Sequence, residues 1–140
     1  MLVAGLGSGG SRQMAANSDV HRALEHRIAE FVGQEDAICF AAGYMANIGV
    51  VPALMKVDFL ETVARAHLEG KQPDAEEITA AGDWEIFSEE LNHASMVDGV
   101  RLAKARVRRF RHKDTGQLAE CLAASEAESK FIVSDGVFSM

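Results

Sequence analysis

Three short apolar runs, Trp84–Ser88, Val107–Phe110 and Phe131–Asp135, alternate with stretches of helical periodicity, Ala94–Lys104 and Thr115–Ala124. A strand that is followed by a helix and then another strand returns to its sheet in the parallel direction, because a crossover of that length cannot close as a hairpin. The alternation predicts an α/β chain with a mainly parallel sheet and flanking helices. Upstream, Ser18 or Asp19 can cap a helix that runs to about Val32, in which Val20, Leu24, Ile28 and Phe31 form one apolar stripe and Gly33 is the stop. Asp36–Phe40 reads as a short buried strand, and a helix is expected from about Met45 to Met55, kinked or shortened by Pro52.

Parallel sheets place ligand sites beyond the carboxyl ends of their strands. Three groups collect there: Gly43-Tyr44, Asn92-His93, and Asp135 to Ser139. Gly43-Tyr44 opens a helix, where free N–H groups and the helix dipole suit a phosphate and the tyrosine ring could flank a planar ligand. An ordinary tight turn has the same residues. His93 can stack on an aromatic ring or transfer protons near neutral pH, or it can be a helix-start histidine bonded to backbone. Asn92 and Ser95 are also good caps. Asp135 could orient the histidine and Ser139 could reach a ligand, though a polar turn explains both.

With 140 residues the chain is long enough for one domain. Its net charge of −7 argues against nucleic acid as main partner. The acids concentrate in 57–83, whereas 101–113 holds seven of the fourteen basic residues. That basic run reads as a solvated face paired with acids, with attraction of a phosphate-bearing substrate as the second possibility, and His112 within it as solvated. No apolar run is long enough for a bilayer, and the amino-terminal ten residues do not form a signal peptide, so the cytoplasm is the expected location. Cys39 and Cys121 sit in apolar patterns as thiols, and no His/Cys group has metal-ligand spacing. Segment 57–82 reads as a surface insertion.

Several segments, in order, resemble the α-oxoamine synthases, pyridoxal-phosphate enzymes of fold type I. They are Gly7-Ser8-Gly9-Gly10-Ser11-Arg12, His21-x-x-Leu24-Glu25, Ala42-Gly43-Tyr44-x-Ala46-Asn47, Asn92-His93-Ala94-Ser95-x-x-Asp98-Gly99, Arg109–Asp114 and Asp135–Met140. The set covers nearly the whole chain except about 57–82. The first run is most similar to the 8-amino-7-oxononanoate synthase branch, with the 2-amino-3-ketobutyrate ligases, 5-aminolevulinate synthases and serine palmitoyltransferases as other branches.

The resemblance implies that residues 1–140 are part of a large domain binding pyridoxal 5'-phosphate. Gly43 and Tyr44 would hold its phosphate end, His93 would stack on its ring and contact substrate, and Ser139 would contact the cofactor. The implied reaction is a decarboxylating condensation of a small amino acid, L-alanine, with an acyl-CoA thioester by a homodimer. The family's Schiff-base lysine stands in a Thr-x-x-Lys motif that Lys56, Lys71, Lys104, Lys113 and Lys130 do not match. The resemblance therefore places no catalytic residue in the chain and marks it as a fragment, expected to be inactive alone. A non-catalytic partner module that retains the fold is the alternative.

Overall fold

The computed structural model describes residues 10–12, 14, 17–56, 64–71 and 83–138, in two compact units, Met1–Ala41 and Ala42–Met140. The glycine run before Gly10, most of 57–82, and Ser139 lie outside the described residues.

The first unit is built on helix α1, Asp19–Val32. Its N-cap is Ser18, but the Ser18 hydroxyl meets the His21 ring at 2.8 Å instead of capping a backbone N–H. Gly33 closes it in the left-handed conformation (φ 70°), as the glycine predicts. The apolar stripe stays exposed, with Phe31 at 91% and Val20 at 52%, and the buried residues of α1 are Glu25 and Ala29. Glu25 explains the inversion. Arg12 donates to both of its carboxylate oxygens, at 2.7 and 2.8 Å, and the Cys39 N–H donates to it at 2.7 Å. Arg12 also donates to the Cys39 carbonyl at 3.1 Å. Asp36–Phe40 is consequently irregular and largely exposed, not the expected buried strand, because side chains of the same unit occupy the backbone groups of Cys39 that a sheet would need.

The Arg12 bond foremost, and then the Cys39 N–H, hold the Glu25 carboxyl down at about 2 from an ordinary 4.5, although burial pushes it up. The folded carboxyl binds its proton less readily than the unfolded one. Its contribution is therefore complete above an ordinary carboxyl pKa and is lost as the pH falls through the folded value. Between wild type and Glu25→Gln, the gap in melting temperature is expected to be widest near neutrality and to close as pH drops from 4.5 towards 2. A gap independent of pH would contradict it.

The second unit carries the sheet. Helix α2 is Gly43–Leu54, and Pro52 sits so near its end that the helix stops two residues later. A single helical turn occupies 64–68, with Ala66 buried. Then follow β1 (Trp84–Glu89), α3 (Ala94–Ala103), β2 (Arg106–Phe110), α4 (Thr115–Ala123) and β3 (Ser129–Val133). The strands pair in the order β2-β1-β3, all parallel, as the alternation of elements requires. Asp114, a short polar residue just before the Thr115–Ala124 periodicity, caps α4 as its type and place predict, accepting from the Gln117 N–H at 2.8 Å.

The central strand β1 separates two environments. Ile86 packs with Val51 and Met55 of α2, Val100 of α3 and Val133 of β3. Pleating sends Glu85, Phe87 and Glu89 to the opposite side. Phe87 is fully buried between two buried carboxylates, and each carboxylate is paired. Glu85 bonds Arg108 at 2.8 Å and the Ser125 hydroxyl, and these donors hold its carboxyl below the usual range against the effect of burial. Arg106 pairs with Asp83, Arg101 with Asp98 and Arg111 with Asp114. The basic run is therefore largely the acid-paired face that the sequence suggests.

Candidate functional site

The strand ends of the second unit are joined by side chains from the loops that leave them. Asn92, buried after β1, donates to the Val133 carbonyl at 2.8 Å and the Ser88 hydroxyl at 3.1 Å. Its amide oxygen accepts from the Asp135 N–H at 3.1 Å. Asp135 returns the contact, accepting from the His93 backbone N–H at 2.8 Å. It thus holds the histidine by its main chain and not by its ring. Asn92 is a strand-end tie, and neither it nor Ser95 is the cap of α3.

The cap is His93 itself. Its Nδ1 accepts from the Ser95 N–H at 3.2 Å and lies 2.7 Å from the Ser95 hydroxyl, while the residue stays exposed. Ser95 is 1% exposed, and its hydroxyl accepts from the Asn47 amide of α2 at 2.9 Å. One turn earlier on α2, the Tyr44 hydroxyl donates to Asp98 of α3 at 2.8 Å. That bond raises the Tyr44 pKa, since the phenol must lose a proton held by a carboxylate. Gly99 completes the clasp: a Cβ there would lie 2.6 Å from the Asn47 carbonyl oxygen. The two helices meet so closely only because that position has no side chain.

Gly43 begins α2 directly after Ala42, whose backbone is extended, with nothing within 4 Å of where the Gly43 Cβ would stand. Ala42, the N-cap, brings no side chain to the first turn. The structure thus links Tyr44 and His93 through α2 and α3 and leaves the helix start open. Ser139 is outside the described residues.

A second cluster went unread in the sequence. Glu89, at the end of β1 and 4% exposed, accepts from the Ser134 hydroxyl at 2.5 Å, the Lys113 N–H at 3.1 Å and the His112 ring. Burial pushes its carboxyl up, but the bonds outweigh burial and hold it below the usual range. His112 is therefore half-buried and held by Glu89, not the freely solvated ring that the sequence suggests. Its ring also meets Phe138 edge-on at 4.6 Å. Nothing in the local pattern around Glu89 marks it. The α2–α3 clasp did leave a signal, because Tyr44 and Asn47, like Ser95, Asp98 and Gly99, recur at the three- and four-residue spacings of one helix face.

The family description "Aminotransferase class I and II" matches residues 3–140. The chain belongs to that family. It is 44% identical over 136 residues to an 8-amino-7-oxononanoate synthase of Azoarcus sp., an alignment covering 97% of this chain and 28% of that protein. Among solved structures, the serine palmitoyltransferase of Sphingomonas wittichii superposes with a TM-score of 0.71 at 32% identity, over 96% of this chain and 28% of the other. A serine palmitoyltransferase from S. paucimobilis with a bound PLP–myriocin aldimine gives 0.70 at 29%, with the same coverages. As a member of the aminotransferase class I and II family, this chain spans less than a third of the length of these relatives. No helix among the described residues is long and apolar enough to cross a membrane.

Proposed function

We propose that residues 1–140 supply part of the pyridoxal 5'-phosphate site of an α-oxoamine synthase. The identity of 44% to an 8-amino-7-oxononanoate synthase carries this reading. The residues present fit the cofactor. The uncapped start of α2 at Gly43 and Tyr44 offers backbone N–H groups and open space to a phosphate. The His93 ring is exposed while Nδ1 is already occupied, so a face is left for a planar pyridine ring. Ser139 is proposed as a further cofactor contact.

When bound, pyridoxal phosphate supplies an electron sink for the α-carbon of an amino acid. This chain's own part is to hold and orient. The α2 start fixes the phosphate end, and His93 covers the ring and contacts the substrate. The anchoring lysine is assigned to another part of the protein. Among the lysines here, Lys130 already donates to the Leu122 and Ser125 carbonyls, each at 2.9 Å. The proposed reaction joins L-alanine to a pimeloyl thioester of coenzyme A, with loss of carbon dioxide and the free thiol, in a homodimer.

The test is product analysis with the full-length protein. Alanine with pimeloyl-CoA is expected to give 8-amino-7-oxononanoate and His93→Ala to lower turnover at least tenfold, in line with the loss of a positioned acid–base or stacking group. Turnover of serine or glycine in place of alanine would overturn the substrate assignment, and unchanged turnover in His93→Ala would overturn the role of the histidine.

A further inference from the structure

We propose that Asn47 is a positioning residue that, through the Ser95 hydroxyl, reinforces one tautomer of His93. It would keep Nδ1 unprotonated and present Nε2–H as a donor on the exposed side of the ring. The inference rests on the reading above only in what that donor faces, namely the cofactor and its substrate.

The donors around the ring fix the direction of each hydrogen bond. A backbone N–H can only donate, so the Ser95 N–H at 3.2 Å requires Nδ1 to accept. The Ser95 hydroxyl, 2.7 Å from the same nitrogen, must then point its proton at it. A hydroxyl donating there has lone pairs left over, and the Asn47 amide nitrogen supplies a donor to them at 2.9 Å. The chain therefore runs one way, from the Asn47 N–H through the Ser95 O–H to His93 Nδ1. The neutral ring's single proton is left on Nε2. Ser95 is 1% exposed, so water does not compete for its hydroxyl. The near contact of Gly99 with the Asn47 carbonyl is what lets the amide reach across between the helices. A neutral imidazole with a fixed donor differs functionally from one free to exchange tautomers, because only the first can offer an N–H to a ligand oxygen or nitrogen without a proton rearrangement.

The measurement is nitrogen NMR of the histidine rings in the full chain labelled with 15N-histidine, the His93 signals being assigned by their loss in His93→Gln. Wild type is expected to show the Nε2–H pattern. Asn47→Asp replaces the donor with a carboxylate that takes the Ser95 proton for itself, so the hydroxyl no longer donates to Nδ1 and, with only the Ser95 N–H left there, the excess of the Nε2–H form falls about fivefold, the size of one net hydrogen bond. Ser95→Ala lowers the excess of the Nε2–H form about fivefold, the size of one net hydrogen bond. Ser95→Thr, which keeps the hydroxyl, restores the wild-type pattern. If Asn47→Asp does not fold, Ser95→Ala and Ser95→Thr decide. Wild-type nitrogen shifts in folded Asn47→Asp, or in Ser95→Ala where that variant decides, would overturn the proposal. The readout needs no ligand, so its failure is distinct from a failure of the cofactor reading, which product analysis addresses.

Discussion

Asn92→Ala is expected to destabilise the second unit by about 1–3 kcal/mol, because it leaves the buried Val133 carbonyl and the half-buried Asp135 N–H without the amide that joins them. Asn92 is 7% exposed, and the groups it would abandon are the Val133 carbonyl and the Asp135 N–H, at 2.8 and 3.1 Å. Each unsatisfied buried group costs about 1–3 kcal/mol, whereas the gain from losing a polar side chain is small, so the penalty wins. The variant also releases the turn that carries Asp135 and, through it, the backbone of His93. Urea unfolding of the full chain measures the effect. A loss below about 0.5 kcal/mol, the scale of an ordinary surface change, would contradict the tie.

Gly99→Ala is the second large effect, and here two terms oppose. Alanine is favoured over glycine within a helix by about 1 kcal/mol. Against that stands a Cβ placed 2.6 Å from the Asn47 carbonyl oxygen and 3.3 Å from the Val51 Cβ. The first obstacle is backbone, which cannot rotate away as a flexible side chain can, and forced repacking costs about 1–3 kcal/mol. The clash is expected to win, with a net loss of up to about 2 kcal/mol in thermal unfolding. The α2–α3 spacing should widen enough to weaken the Asn47–Ser95 bond. A variant more stable than wild type would show that α2 shifts without cost and would remove the steric account.

Much of this was readable because it rests on local rules. The parallel direction of the strands follows from apolar runs separated by helical crossovers. Asp114 and Gly33 were visible as cap residues, and Gly43, Tyr44 and His93 stood out by position after predicted elements. The failures are long-range. Asp36–Phe40 has the composition of a strand, but Glu25 and Arg12, separated from it in sequence, take the backbone groups of Cys39. The α1 stripe follows the helical period, yet the same carboxylate, buried for its ion pair, turns that stripe outward. Glu89 and His112 lie 23 residues apart, and no spacing rule connects the end of one strand to the loop after its neighbour. Asn47, Ser95 and Gly99 fall between these cases. Their helical spacing was in the sequence, but their partnership depended on which faces of α2 and α3 meet.

In the proposed site His93 faces the cofactor ring, with the α2 start at its phosphate. A crystal structure of the full-length protein with pyridoxal 5'-phosphate tests it most directly. The expected result is a His93 imidazole stacked on the pyridine ring within about 4–5 Å, centroid to centroid. The phosphate is expected to accept from backbone N–H groups at Gly43 and Tyr44. A cofactor bound with its ring away from His93, or its phosphate held elsewhere, would contradict the account.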